Sequence, residues 1–370
     1  MSHLQEEDRL LIQEAVDKFI LDNYPFEEKE KRLAELGQYG GHWGTFAELG
    51  WLMLPFAEEA GGLGGGIADV QVLLQAFGRG LIAEPFSEVV LQAGKALEFC
   101  APESSREQLL LPLMSGEQRV VLAHGEVSAD ADFSAVTCIA ETCAEGYRLT
   151  GSKRVVCQAG SADRYLVTAK LNNEPALFLV DAGSDNLERY EYLTIDTRYA
   201  SDLQLDGVTV PAAALVATGE VVAEGVRDAL LYTFAGLAAE VHGIAKNLRL
   251  MTAEYLNTRE QFGTKIANFQ ALQHLLADMV IAEEEIASLA WLMSNVWEME
   301  DSTERERLIR STKARMCVAG RQLAEIAVQL HGGVGVTDEL IVSHYLRRMV
   351  AIDALYGDSQ QQLLWLAQQV

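Results

Sequence analysis

The spacing of apolar residues changes twice along the chain, and that double change restricts the fold to three successive modules. From Glu6 to about Cys100 apolar residues recur every three to four positions, as at Leu10, Leu11, Ala15 and Phe19, which is the repeat of a helix with one buried face. Between roughly 118 and 217 the apolar runs become short and are bounded by turn residues, as in 147–150, 154–157, 165–168, 176–180 and 203–210. Asn172-Asn173, lying between two of these runs, has the residue types of a tight hairpin turn. From Val221 onward strand signals stop, and amphipathic stretches follow at about 221–258, 265–298, 303–331 and 338–368. The expected fold is α+β and multidomain: an N-terminal helical domain (1–117), a middle antiparallel β-barrel or sandwich (118–217) and a C-terminal four-helix bundle (218–370).

Charge narrows the partners. The chain carries 29 basic and 54 acidic residues, a net of −25, which repels phosphate backbones and anionic lipid surfaces. Its five cysteines are odd in number and form no C-x-x-C pair, so they read as reduced packing residues, with no metal site. No cationic segment followed by an apolar stretch opens the sequence, and no run reaches the ~18 apolar residues of a membrane span. A cytoplasmic protein is expected. The Gly61–Gly66 run lacks a preceding strand, so it reads as a loop between helices and not as a dinucleotide fingerprint.

Two motifs hold a fixed order in the C-terminal half. The first is Arg259-Glu-Gln-Phe262-Gly263, followed by Ile266, Phe269-Gln270, Gln273-His274 and Ala277-Asp278-Met279; the second is Gln329-Leu-His-Gly332-Gly333-Val-Gly335 with Thr337 and Glu339. Upstream stand Glu48-Leu-Gly-Trp-Leu-Met-Leu-Pro-Phe, Glu58-Glu59 and a Gly-Gly-Leu-Gly loop. Over essentially its full length the chain resembles the acyl-CoA dehydrogenase superfamily. In detail it is most similar to the small subunits of bacterial pimeloyl-CoA dehydrogenase-like proteins, which end in Leu-Phe-Gly-Asp where this chain has Leu355-Tyr-Gly-Asp358. The resemblance implies FAD as cofactor, an acyl-CoA substrate, an electron-transfer flavoprotein as acceptor, and a homo- or heterotetramer. It also implies that Arg259, Gln261 and Phe262 contact FAD, and that Gln329, Gly332 and Gly333 reach the ADP part of a flavin held mainly by a neighbouring subunit. A bidentate guanidinium and closely approaching backbone suit a diphosphate. His274 and His331 have no ligand partners at metal spacing and read as packing groups.

The implied reaction needs a carboxylate to take the α-proton of the thioester while the β-hydrogen leaves as hydride. Here the chain departs from the family pattern. The Tyr-Glu-Gly-Thr segment that carries the base in many members reads Leu355-Tyr356-Gly357-Asp358, which puts a phenol of ordinary pKa near ~10 in the glutamate slot. The alternative position, on the first bundle helix, falls on Thr233. Two carboxylates remain as candidate bases. Glu240 lies seven residues after Thr233, on nearly the same helix face about 10.5 Å along, in an apolar setting. Asp358 reads either as a base or as the N-cap of a final helix. The Trp-x-Thr pair that stacks on flavin in relatives is replaced by Val155-Val156-Cys157, and a Thr-Glu-Pro-Gly loop by Gly125-Glu126-Val127-Ser128. The expected activity is α,β-desaturation, alone or within a heteromer. The alternatives are a non-catalytic structural subunit and a related flavin oxidase or monooxygenase.

Overall fold

The computed structural model describes residues 4–28, 41–126, 135–297 and 299–369. Three layers follow in chain order. The first is helical: α1 (Glu6–Asn23), α2 (Trp43–Glu48), α3 (Ile67–Gly80), a π-helical turn (Ser87–Gly94) running into α4 (Lys95–Cys100), and α5 (Glu103–Met114). Its core is aromatic: Phe46 stacks on Phe77 at 5.2 Å, with Trp51 and Phe19 edge-on or tilted against them. The Gly61–Gly66 run is a loop leading into α3, and no strand precedes it among the described residues.

Eight strands form the middle layer: β1 (Val120–Ala123), β2 (Ile139–Cys143), β3 (Gly146–Cys157), β4 (Arg164–Leu171), β5 (Glu174–Asp181), β6 (Leu187–Leu193), β7 (Tyr199–Pro211) and β8 (Leu215–Thr218). They run in the order β6-β7-β3-β2-β4-β5-β8, with β1 added on β4. The sheet is open and mixed, which corrects the expectation of a purely antiparallel barrel or sandwich. β1 and β2 both pair with β4 in parallel, because the chain reaches β4 only after the β2–β3 hairpin has turned it round. Asn172 and Asn173 do close β4 on β5, both in the left-handed region that a type I′ turn requires.

The third layer is the bundle of α6 (Glu220–Thr258), α7 (Gln270–Val296), α8 (Ser302–His331), α9 (Ile341–Ala354) and α10 (Ser359–Gln368), with a two-strand ribbon, β9 (Glu260–Gln261) and β10 (Thr264–Lys265), between α6 and α7. The fourth amphipathic stretch is thus two helices. Tyr356 (φ 56°) and Gly357 (φ 90°) leave helical conformation, and Asp358 starts α10. α6 is the spine, packing on α3, α4, α7 and α8. Its middle is buried on nearly every side, and two glycines let it lie against α3 backbone to backbone: a Cβ on Gly243 would overlap the Gln75 carbonyl oxygen, and one on Gly78 that of Glu240.

Gly243→Ala therefore overpacks the α3–α6 contact, and we expect a loss of about 2–3 kcal/mol in urea unfolding. An unchanged midpoint would mean that the two helices are not held at this distance.

Candidate flavin and acyl-CoA sites

The ribbon after α6 sets the first group of residues. Gln261 faces Thr264 across it, so Phe262 (φ 54°) and Gly263 (φ 76°) form the two-residue turn at its tip. A left-handed phenylalanine is strained, and the turn holds its ring 93% exposed, with the Phe269 ring 6.1 Å away. Arg259 ends α6 and is exposed, and its guanidinium makes no ion pair or hydrogen bond among the described residues. Gln261 is exposed as well, its amide donating to the Glu260 carbonyl at 2.8 Å. At the end of α8, Gln329, Gly332 and Gly333 are all exposed; Gly332 has φ 64°, and a Cβ on either glycine would meet nothing within 4 Å. Tyr255, one turn before Arg259, stacks on His331 at 4.5 Å. The two motifs therefore share one end of the bundle, and their polar groups and open backbone point away from this chain's core. His331 itself is buried and bonded to the Ala327 carbonyl, His274 is exposed, and no group of three metal-ligating side chains occurs among the described residues.

Glu240 lies elsewhere, deep between domains. Arg348 of α9 forks onto it, Nε to Oε1 at 2.6 Å and Nη2 to Oε2 at 2.9 Å, and spends its third nitrogen on Asp196 at 2.9 Å. Arg198 adds a contact to Glu240 at 3.4 Å and donates to the Ile82 carbonyl at 2.6 Å. Burial alone would raise the Glu240 pKa, but Arg348 and then Arg198 outweigh it and hold the carboxyl below its usual range; Asp196 is lowered in the same way. A carboxylate so held is a weak proton acceptor. Asp358 is also committed. It caps α10 in a reciprocal box, Oδ1 accepting from the Gln361 N–H at 2.8 Å while Gln361 Oε1 accepts from the Asp358 N–H at 2.7 Å. Thr233 is fully buried and donates to the Ala229 carbonyl at 2.8 Å.

The cleft between the β layer and the 355–358 loop is small. It encloses about 90 Å³, lined among others by Gln92, Val155, Cys157, Leu230 and Tyr356. An ordinary small-molecule site has roughly 300 Å³ or more, so no flavin ring fits beside β3 as the chain stands. The strand itself bulges there, with Val155 at φ 50° fixed by Asp202, which accepts from its N–H at 3.1 Å. Glu126 turns inward to the buried Lys153 at 2.7 Å and accepts from the Thr137 N–H at 2.7 Å; Val127 and Ser128 lie outside the described residues. A larger groove of about 820 Å³ adjoins the cleft, lined among others by His124, Lys170, Arg227, Arg310, Tyr356 and Trp365.

Comparison with known proteins agrees with this division into layers. The N-terminal domain of acyl-CoA dehydrogenase matches residues 6–117, and the C-terminal domain matches 224–370. The acyl-CoA dehydrogenase FadE27 of Mycobacterium tuberculosis is 30% identical over 358 residues, covering 92% of each chain. The chain belongs to the acyl-CoA dehydrogenase family. A chain of the ChsE4–ChsE5 complex from Mycobacterium tuberculosis superposes with a TM-score of 0.86 at 27% identity, covering 100% of this chain and 98% of that one. A variant of the steroid acyl-CoA dehydrogenase Tcur3481–Tcur3483 gives 0.86 at 28%, covering 98% and 97%. Sequence reasoning missed Arg348, Asp196 and Arg198, whose only signal was that an acid inside an apolar helix needs a partner.

Removing the fork should expose its cost: Arg348→Ala leaves two buried carboxylates without their main counter-charge, and we expect a loss of about 3–5 kcal/mol in chemical denaturation. Arg348→Lys should recover little of it, since an ammonium cannot bridge both partners; full recovery would contradict the bidentate geometry.

Proposed function

We propose that this acyl-CoA dehydrogenase acts as one subunit of an FAD-dependent assembly that desaturates an acyl-CoA thioester, and that it lends its bundle end to a flavin seated mainly in a neighbouring chain. One asymmetry carries the reading. Arg259, Phe262 and the Gly332-Gly333 turn are exposed and unspent, while the cleft beside this chain's own β3 is too small for a flavin ring. Bound FAD would supply the acceptor for the β-hydrogen. This chain would supply a guanidinium and open backbone for the diphosphate and an aromatic ring at the edge of the site. The α-proton requires a carboxylate with a usable pKa, and with Glu240 and Asp358 committed as described, the partner subunit supplies it.

Two similar structures are of paired chains, ChsE4–ChsE5 and Tcur3481–Tcur3483, which supports a heterotetramer; the second is a steroid acyl-CoA dehydrogenase and favours a bulky acyl group. The Leu355–Asp358 ending supports the small-subunit assignment within such a pair. Another relative, a subunit of a caffeyl-CoA reductase–Etf complex, is 24% identical and supports an electron-transfer flavoprotein as acceptor. Among the described residues no helix is long and apolar enough to cross a membrane. Tyr356 in the base slot favours the second reading, a subunit with no chemistry of its own. The oxidase reading rested on Asp358, which caps α10.

Two measurements on the complex co-expressed with its genomic neighbours test this. Arg259→Ala should lower the flavin absorbance retained per assembled complex at least ten-fold, and undiminished flavin would refute the lent half-site. Glu240→Gln should leave kcat per assembled flavin within about two-fold; a loss near 100-fold with assembly intact would return the base to this chain.

A further inference from the structure

Tyr356 stands where the large groove and the small chamber meet. It lines both cavities, together with His124 and Gly357. Its backbone is held at φ 56°, which a bulky residue adopts only under constraint, and the constraint is visible. Lys313, fully buried on α8, donates to the Leu355 carbonyl at 2.6 Å, to the Gly357 carbonyl and, at 3.4 Å, to that of Asp353. One ammonium therefore gathers the carbonyls on both sides of Tyr356 at the C-terminal end of α9, where the helix dipole also favours a cation. The Phe234 ring lies 4.7 Å beneath it. Gln362 adds a donor to the Gly357 carbonyl at 3.0 Å. The Tyr356 hydroxyl, by contrast, is buried and finds no oxygen or nitrogen partner among the described residues, with only the Cys157 thiol beside it. A phenol pressed into the interior with no better partner than a thiol forfeits about 1–3 kcal/mol of hydration, so the fold gains more from the ring than from its polar tip.

We infer that the Tyr356 ring, set in place by Lys313, is a partition that divides one acyl-binding cleft into an outer groove and a small inner chamber. The partition determines what the chain admits: a thioester can lie in the outer groove, and its acyl group cannot pass to β3 until the ring is removed. The inference deepens the proposed function and rests on it only in taking the outer groove for the acyl-CoA side. The hydroxyl is dispensable in this arrangement, whereas ring volume and the lysine are not.

The test uses the full-length chain and four forms: unaltered, Tyr356→Phe, Tyr356→Gly and Lys313→Met, each checked for an intact unfolding transition. The first readout is alkylation of Cys157, which lines the inner chamber, by iodoacetamide followed by mass spectrometry, with Cys143 as internal reference. Tyr356→Gly should accelerate Cys157 at least ten-fold relative to Cys143, Lys313→Met in the same direction by less, and Tyr356→Phe not at all. The second readout is calorimetric titration with butyryl-CoA and with CoA alone. Opening the partition should tighten butyryl-CoA at least ten-fold and leave CoA unchanged. Equal alkylation in the unaltered and Tyr356→Gly chains, both folded, overturns the partition. Faster alkylation without any gain for butyryl-CoA keeps the partition and removes the acyl-CoA reading of the groove. Acceleration by Tyr356→Phe equal to that of Tyr356→Gly would transfer the seal from the ring to the hydroxyl and overturn the assignment.

Discussion

The guanidinium of Arg348 is the centre of the buried charge network in which the three layers meet. It reaches α6 through Glu240 and the β6–β7 turn through Asp196, and Arg198 of that same turn reaches back to Glu240 and to the N-terminal layer at Ile82. A buried ion pair contributes little over a well-packed apolar filling, because desolvation cancels much of the attraction. Its effect is geometric. Neither the sheet nor α9 can slide along α6 without stranding a charge in a dry interior, so the cleft between them keeps one width.

The same accounting separates residues spent within this chain from those left open at its surface. Around the cleft nearly every polar group is spent internally: Glu126 on Lys153, Asp202 on the Val155 N–H, Lys313 on the carbonyls flanking Tyr356. At the bundle end the balance is reversed. Among the described residues a guanidinium without a partner, a strained and exposed phenylalanine and an open glycine turn lie together there, and a phenylalanine in open water is unfavourable unless something covers it.

How far the sequence disclosed this follows from the range of the interactions. Helical repeats, alternating strands and the Asn172-Asn173 turn are local, and they placed the elements in their correct class. The parallel pairing of β1 and β2 with β4 is not local, since register is decided by strands that meet only after the chain has doubled back. The break at 355–358 was hidden because Leu355 and Tyr356 continue an apolar helical repeat; its cause, Lys313, stands 42 to 44 positions upstream. Glu240 signalled its own importance by its apolar surroundings and could not signal its kind, because Arg348 is 108 residues away. A buried acid reads identically in sequence whether it awaits a substrate or already holds a guanidinium.

Charge balance in that cluster also explains a residue that no motif singled out. Two guanidiniums face two carboxylates, so a third buried acid nearby has no counter-charge to claim. Glu88, on the π-helical turn, is that third acid, and burial raises its pKa despite attraction from Arg198 and Arg348. The signs then oppose one another. Glu240 and Asp196 are lowered, so their contribution is present above the ordinary carboxylate range and is lost as pH falls through their folded values. Glu88 is raised, so its contribution is present below that range and is lost as pH rises through its own. The three acids therefore respond to pH in opposite senses, so no single pH suits all of them fully. Neutralising the fork would remove what holds Glu240 and Asp196 low and what partly offsets the burial of Glu88.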